Sequence, residues 1–245
     1  MEVMVRDARD GDWPALVDIA AQGGSPDADP VHLAFLAEAG RLLVADGADG
    51  VEGFVGAVPL RGAVMVTDLF VAAGRRGHGV GGALLGAALP AGVGAFTFAS
   101  ADPAALAAYR RVGMAVHWPL LTMRGAACGG SQHQERQWSG TDDAVAGHLR
   151  RCGAFSTGHA LVGHRGAVAH LHRLEAPAGV VARALAEVCS SLAEGTPIEV
   201  SVPAGSPLLN ELVLRDFRIV DVDIHCCTAG FVLDPGLAAV HRGLC

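Results

Sequence analysis

The chain contains no lysine, and all 18 of its basic residues are arginines. A phosphate-binding loop of the Gly-Lys-Ser/Thr type requires that lysine, so this class of nucleotide site is excluded. Because 25 acidic residues outnumber the arginines, the formal net charge is −7. Nucleic-acid binding depends largely on neutralising phosphates, so we expect no nucleic-acid partner.

Paired cysteines and long apolar runs are also missing. The six cysteines form no C-x-x-C pair and stand at positions 128, 152, 189, 226, 227 and 245. Their scatter predicts reduced side chains, with neither a disulfide framework nor a metal site. No apolar run reaches the ~18 residues of a membrane span, and no signal-peptide pattern opens the chain. We expect a cytoplasmic protein with no membrane partner.

Predicted strands and helices follow one another in two similar series. Residues 1–125 predict a strand, two helices, three strands, a glycine-rich helix, a strand, a helix and a final strand. A polar, aperiodic linker follows at 126–140, and a second series occupies 141–245. The sequence therefore predicts an α/β protein of layered α+β type. Each of its two domains has a mixed, mostly antiparallel sheet flanked by helices.

The two series align when the chain is shifted against itself by 103 residues. Val71 then falls on Leu174, and Leu89 falls on Leu192, without a gap. Identity is low, so the alternatives are a duplicated unit and a chance alignment of two α/β units. Shared order over four elements favours duplication.

The two copies differ at one helix start. Four residues of the first copy, Arg76, Gly77, Gly79 and Gly81, fall on Gly179, Val180, Ala182 and Ala184. Tyr109, the only tyrosine of the chain, falls on Leu212. Since the second copy keeps the helix without the glycines, we expect that folding does not require them. We also expect the first copy to hold the chemistry.

The segment from residue 76 to residue 82, here called the glycine-rich turn, reads Arg-Gly-His-Gly-Val-Gly-Gly. A strand that runs through it into a helix leaves main-chain N–H groups free at a positive helix end, which suits phosphate or pyrophosphate. Glycine lets the main chain approach such an anion closely. The spacing differs from the G-x-G-x-x-G of dinucleotide-binding folds, which also require parallel strands.

Two segments resemble the GNAT superfamily, the Gcn5-related N-acetyltransferases. "LFVAAGRRGHGVGGALL" resembles its motif A, Arg/Gln-x-x-Gly-x-Gly/Ala, with Arg76, Gly79 and Gly81 at the fixed positions. "ALAAYRRVGM" resembles a later family segment through Tyr109 and Gly113, although Ala108 replaces an aromatic residue and Met114 a phenylalanine. The resemblance covers roughly residues 1–125 and includes the order of the elements.

This resemblance implies a fold and an acyl donor. Family members separate two strands into a V, and the pantetheine arm of acyl-CoA lies in the gap like an added strand. Main-chain groups of Leu69, Phe70 and Val71 are then expected to pair with pantetheine. Those expected to hold the pyrophosphate belong to Arg76, Gly77, His78, Gly79, Val80, Gly81 and Gly82. The cosubstrate is acetyl-CoA or another acyl-CoA, and no metal is implied.

The resemblance also implies direct transfer of the acyl group to an amine. Tyr109 matches the family tyrosine and is the candidate acid for the departing thiolate; the alternative is a core tyrosine with a satisfied hydroxyl. Asp68 is the candidate base, and its alternative role is to hold a turn or a neighbouring arginine. Tyr109 and Asp68 are therefore the expected catalytic residues.

Four further residues are candidates for acceptor binding. Asp29 and His32 lie in or beside the loop where the family shapes this site, and a solvated acidic loop is the alternative. His170 and His172 stand two apart in a predicted strand and so face one side of the sheet; scattered histidines without a ligand are the alternative.

The sequence thus predicts a monomeric or homodimeric acyl-CoA-dependent N-acyltransferase that acts on the amine of a small molecule. Two alternatives stay open. One is an acyltransferase that takes its acyl group from a carrier protein, and the other is a non-catalytic acyl-CoA-binding protein.

Overall fold

The computed structural model of the chain describes residues 3–24, 30–48, 50–130, 135–231, 233–234 and 239–240. Within them lie seven α-helices and eleven β-strands. The helices are α1 (Trp13–Gln22), α2 (Pro30–Ala39), α3 (Val80–Ala88), α4 (Pro103–Arg111), α5 (Ala144–Arg151), α6 (Val181–Ser191) and α7 (Leu208–Leu214). The strands are β1 (Met4–Asp7), β2 (Arg41–Gly47), β3 (Gly50–Leu60), β4 (Ala63–Val71), β5 (Ala95–Ser100), β6 (Met114–Ala126), β7 (Phe155–Ser156), β8 (Ala160–Arg165), β9 (Val168–Leu174), β10 (Pro197–Pro203) and β11 (Arg218–Thr228).

These elements form two compact units. The first unit holds the described residues up to His117 and those from His225 to Phe231, and the second holds the described residues from Trp118 to Ile224 and those at 233–234 and 239–240. The chain passes from one unit to the other within β6 and again within β11. The sequence instead places a boundary at residue 125 and a linker over 126–140. Domains with those boundaries stay a prediction.

In the first unit the strand order is β1-β2-β3-β4-β5, followed by the last residues of β11. Pairing is antiparallel from β1 to β4 and parallel between β4 and β5. Gly53 of β3 faces Leu84 of α3, whereas Gly56 faces Leu36 of α2. Since the two glycines are an odd number of residues apart, α2 and α3 cover opposite faces of the sheet.

In the second unit the order is β6-β10-β9-β8-β7, with residues 118–126 supplying β6. Only β9 and β10 pair in parallel. Each unit therefore has a mixed, mostly antiparallel sheet flanked by helices, and the predicted α/β fold class is confirmed. No helix in the described part of the chain is both long and apolar enough to cross a membrane.

The register of the strands shows how the two units correspond. Thr67 is the extra residue of a bulge in β4, and His172 is the extra residue of a bulge in β9, so these strands match at a shift of 105 residues. The parallel pair Val66–Thr97 of the first unit corresponds to the pair Leu171–Val200 of the second. The first residues of these pairs are 105 positions apart, and the second residues are 103 apart. The gapless alignment at 103 is therefore corrected. The loop after β9, residues 175–180, is two residues shorter than its counterpart, residues 72–79.

Two buried histidines predict how stability depends on pH. Burial lowers the pKa of His172 to about 3 and that of His225 to about 4. Above pH 6.5 both are neutral in folded and unfolded chains alike. As the pH falls below 6.5, the unfolded chain binds protons that the folded chain refuses. The free energy of unfolding therefore decreases by up to about 1.4 kcal/mol per pH unit for each histidine.

Chemical unfolding between pH 7 and pH 4.5 measures this slope. We expect His172→Asn to flatten it and His78→Asn, which changes an exposed histidine, to leave it as in the wild type. A His172→Asn protein with the wild-type slope would show that His172 titrates normally in the folded chain.

Candidate active site

The parallel pairing of β4 and β5 ends within the strands. It joins Val64–Val66 to Ala95–Thr97 and goes no further, although β4 continues to Val71 and β5 to Ser100. Past this point β4 remains paired only with β3 among the described strands. The space between residues 68–71 of β4 and residues 98–100 of β5 is here called the β4–β5 gap. The resemblance implies a V between two strands, and this gap is the candidate for it.

Hydrogen-bond alternation shows which main-chain groups face this gap. The N–H of Ala72 donates to the carbonyl of Glu52 on β3, at 2.9 Å. Bonded pairs alternate along antiparallel strands, so Phe70 bonds to β3 as well, and its main-chain groups point away from the gap. The N–H and C=O groups of Leu69 and Val71 point toward the gap, so the expectation that Phe70 pairs with pantetheine is corrected. This edge of β4 therefore presents the main-chain groups with which an added strand pairs.

The glycine-rich turn follows directly after β4. Gly77 and Gly79 have φ values of +79° and +87°, in the left-handed region that favours glycine. Gly79 is also the residue that precedes α3. Glycine therefore favours the conformation of this turn at both positions, a role in folding that the sequence comparison did not predict. The second unit builds its shorter loop without a left-handed residue between 175 and 180.

Gly81 and Gly82 have no such role. Both lie within α3 with ordinary helical geometry, and a Cβ at Gly82 would meet nothing within 4 Å. A Cβ at Gly81 would meet only Val71 Cγ2, at 3.7 Å. Alanine would fit at either position and would favour the helix by about 1 kcal/mol. No contact among the described residues explains these two glycines.

The first turn of α3 presents unused donors. Helical bonding begins with the N–H of Ala83, which donates to the carbonyl of Gly79 at 3.0 Å. The N–H groups of Val80, Gly81 and Gly82 precede that bond and have no acceptor within the helix. No acidic residue stands in this turn, so the positive end of the helix is not neutralised locally. The arrangement suits an anion.

Three side chains at the turn differ in their contacts with the rest of the protein. Arg75 pairs with Glu52, with 2.9 Å between Nε and Oε1. Arg76 is exposed and its Nε donates to the carbonyl of Val71 at 3.1 Å, so it folds back onto the edge that faces the gap. The ring of His78 lies 2.9 Å from the carbonyl of Arg76 and is exposed. Of the two arginines, Arg76 lies at the turn with its charge unpaired by any described carboxylate.

Asp68 lies just after the bulge in β4, where its carboxylate meets α2. Its Oδ2 is 3.0 Å from Nε2 of His32, and both side chains are largely buried, at 12% and 5% exposure. The bulge residue Thr67 shifts the register and so changes the direction of the side chain that follows. Gly56, opposite Asp68, provides the space, because a Cβ there would lie 2.5 Å from Leu36 of α2.

The partner of Asp68 is thus a histidine, and neither a turn nor an arginine. The sequence had placed Asp68 and His32 in separate roles, as base and as acceptor ligand, and the structure brings them together. A carboxylate beside an imidazole can accept a proton directly or through water. Asp29 lies outside the described residues, as does the rest of residues 25–29.

Tyr109 lies in the last turn of α4. Asp102 begins this helix by accepting from the N–H groups of Ala104 and Ala105, at 2.7 and 3.2 Å. The tyrosine is buried, with 6% of its surface exposed. Burial raises the pKa of Tyr109 to about 12, so the hydroxyl keeps its proton at neutral pH and can donate it.

Thr97 is a buried polar residue that the sequence reasoning did not single out. It belongs to the last pair between β4 and β5, opposite Val66, where the gap opens. The signal was present, since a shift of 103 places Thr97 on Val200, just as it places Tyr109 on Leu212. Two polar residues of the first copy thus correspond to two apolar residues of the second.

His170 and His172 lie on β9 in the second unit. Their rings stack with centroids 6.1 Å apart, which confirms that they share a face of the sheet. His172 is buried and lies against Gly163, whereas His170 is partly exposed and lies 3.9 Å from a carboxylate oxygen of Glu199. Their role toward an acceptor stays a prediction. No cluster of three His, Cys, Asp or Glu side chains that suits a metal occurs among the described residues.

The second unit has different chemistry at the position of Asp68. The shift of 105 residues places Arg173 there, and its Nη1 lies 2.9 Å from Oδ2 of Asp143 at the start of α5. Both units thus connect this strand position to a helix through a polar pair. In the second unit the group on the strand is a cation that cannot accept a proton.

Comparisons with known proteins identify the fold. No protein-family model matches the sequence, and the curated proteins contain no match. Among solved structures, a protein from Pyrococcus horikoshii that is provisionally assigned as an acetyltransferase is similar, with a TM-score of 0.67, 12% identity and coverage of 98% of this chain and 93% of that one.

Two Gcn5-related N-acetyltransferases are also similar. The one from Sphaerobacter thermophilus has a TM-score of 0.56 and 12% identity, and the match covers 96% of this chain and 97% of that one. The one from Kribbella flavida has a TM-score of 0.57 and 15% identity, and the match covers 92% of this chain and 71% of that one. The chain therefore has the fold of the Gcn5-related N-acetyltransferases over nearly its whole length. The resemblance drawn from the two sequence segments is confirmed at the level of the fold.

Proposed function

We propose that the protein is an acyl-CoA-dependent N-acyltransferase, with acetyl-CoA the simplest donor, whose catalytic site lies in the first unit. The observation that carries the proposal is the arrangement at one end of β4. An outward-facing strand edge and a helix start whose first N–H groups have no acceptor within the helix lie at this end, and a buried tyrosine stands on the helix that follows β5. These three features suit the pantetheine, pyrophosphate and thioester portions of one donor.

Donor binding follows from the main-chain groups. Pantetheine carries amides that pair with the N–H and C=O groups of Leu69 and Val71, as a strand would. To reach the carbonyl of Val71, the donor displaces Nε of Arg76, whose guanidinium is then available for a phosphate. The pyrophosphate lies against the N–H groups of Val80, Gly81 and Gly82, where a bare main chain permits close approach.

The reaction is direct transfer to a small-molecule amine. The amine nitrogen forms a bond to the thioester carbonyl carbon, and the bond from that carbon to sulfur breaks. Asp68, held by His32, accepts the proton that the nitrogen loses, directly or through water. The hydroxyl of Tyr109 donates a hydrogen bond to the departing sulfur.

The high pKa of Tyr109 bears on how complete that donation is. A thiol has an ordinary pKa near 8.5, so full transfer from a phenol at about 12 costs about 5 kcal/mol. The hydrogen bond to the developing thiolate therefore supplies the stabilisation, and solvent protonates the thiol after release. The sequence predicts that Tyr109 acts as an acid, and we propose the narrower role of a hydrogen-bond donor to the thiolate.

The function is tested by incubating the protein with acetyl-CoA and a panel of amines, including aminoglycosides and polyamines. Thiol release and the mass of the product are measured. We expect turnover with at least one amine and a gain of one acetyl group. Tyr109→Phe should lower kcat by about 100-fold while CoA affinity stays unchanged, and Asp68→Asn should lower kcat as well. CoA binding without turnover of any amine would favour the non-catalytic alternative.

The glycine-rich turn gives a second test. Gly82→Ala should raise the free energy of unfolding by about 0.5–1 kcal/mol, because alanine fits and favours the helix. The same change should weaken CoA binding at least about tenfold, since the methyl group holds the pyrophosphate away from the N–H groups. Calorimetric titration with CoA and chemical unfolding measure the two effects.

Gly86→Ala is the matched control, because Gly86 lies in the same helix, is exposed and has the same open surroundings. It should stabilise the protein without changing CoA affinity. Pantetheine, which lacks the pyrophosphate, should bind both variants equally. Unchanged CoA affinity in Gly82→Ala would mean that the turn does not hold the pyrophosphate, and would favour a carrier-protein donor.

A further inference from the structure

The second unit also has two strands that separate after a short parallel pairing. Residues 169–171 of β9 pair with residues 198–200 of β10 and the pairing goes no further, although β9 continues to Leu174 and β10 to Pro203. The space between residues 172–174 and residues 201–203 is here called the β9–β10 gap. It is the counterpart of the β4–β5 gap, because each gap follows the third parallel pair of its two strands.

One wall of this gap is the main chain of β9. The N–H of Glu175 donates to the carbonyl of His159 at 2.9 Å, in the register that pairs β9 with β8. Bonded residues alternate along antiparallel strands, so the N–H and C=O groups of Leu174 point into the gap. At the shift of 105 residues Leu174 corresponds to Leu69, whose main-chain groups face the β4–β5 gap.

The other wall is the main chain of β10. The N–H of Ala204 donates to the carbonyl of Pro119 at 3.0 Å, in the register that pairs β10 with β6. By the same alternation the carbonyl of Ser201, three residues earlier, points away from β6 and into the gap. Both walls therefore offer main-chain hydrogen-bonding groups to an extended chain that lies between them.

Two residues of the protein itself lie between these walls. Ala239 forms an antiparallel bridge with Leu174, and the N–H of Val240 donates to the carbonyl of Ser201 at 3.1 Å. Both residues are buried, at 3% and 8% exposure, and Ala239 belongs to the apolar core of the second unit. Adjacent residues thus pair with opposite walls, as an inserted strand does.

We propose that residues 239 and 240 occupy the β9–β10 gap as an internal ligand, in the place that the acyl donor takes in the first unit, so that the second unit is closed to acyl-CoA. The proposal rests on the proposed function, which assigns the β4–β5 gap to the donor. In the first unit no described residue pairs with Leu69 on the side of its gap. An extended, amide-bearing ligand binds the β9–β10 gap only when residues 239 and 240 leave it.

Amide hydrogen exchange of Val240, followed by NMR, tests the occupancy directly. We expect its N–H to exchange at least about 100-fold more slowly in the protein than in a free peptide of residues 237–242, because its hydrogen bond to Ser201 is buried. Saturating CoA should leave that rate unchanged, since CoA binds in the first unit. Exchange as fast as in the peptide, or faster exchange once CoA is added, would overturn the proposal.

A variant that empties the gap tests what the gap can bind. Val240→Pro removes the N–H that bonds to Ser201 and should release the segment. A labelled peptide of residues 237–242 should then bind at least about tenfold more tightly to the variant than to the wild type, where the tethered segment competes at an effective concentration on the order of 1 mM. Pantetheine should displace this peptide, because its amides suit the same main-chain groups.

Val240→Ala is the matched control, because it keeps the N–H and should bind the peptide as weakly as the wild type does. Ala239→Glu empties the gap by a second route, since it places a carboxylate in the apolar core. The proposal is overturned if neither Val240→Pro nor Ala239→Glu gains peptide binding, or if pantetheine fails to displace the peptide. If the wild-type protein acylates no amine, the proposed function fails, whereas amide exchange and peptide binding still decide whether residues 239 and 240 fill the gap.

Discussion

The parallel pairing of β4 with β5 lasts for three residue pairs and then stops, and the candidate site is built around that end. Beyond it, the main-chain groups of Leu69 and Val71 face a gap in place of a neighbouring strand. A strand edge left without partners binds other extended chains readily, and a pantetheine arm offers the matching amides. The tyrosine, the carboxylate and the glycine-rich turn all lie on elements that begin or end at this gap.

The second unit shows which of these features the fold itself demands. It repeats the bulge and the short parallel pairing, so both belong to the architecture. It replaces the left-handed glycines by a shorter loop, the carboxylate by Arg173, and Thr97 and Tyr109 by two apolar residues. The two units of the chain thus show one fold with these groups and the same fold without them. Those that the second unit lacks include the ones that our proposed reaction uses.

Much of this site could be predicted from the sequence, because the glycine-rich turn and Tyr109 stand in short local patterns. The contact between Asp68 and His32 could not be predicted, since the residues are 36 apart and meet only because α2 packs closely over Gly56. The loop after β9 is two residues shorter than the loop after β4, and nothing in the strand pattern marks this difference, so the gapless alignment was off by two residues in one strand. The contrast between Thr97 and Val200 could have been found, because that alignment already paired them.

A crystal structure of the protein with CoA tests the central claim most directly. Our account predicts one CoA per chain, bound in the first unit. Its pantetheine arm should pair with the main chain of Leu69 and Val71, its pyrophosphate should lie at the N–H groups of residues 80–82, and its sulfur should lie beside Tyr109. CoA bound to the second unit, or bound in the first unit away from the β4–β5 gap, would contradict it.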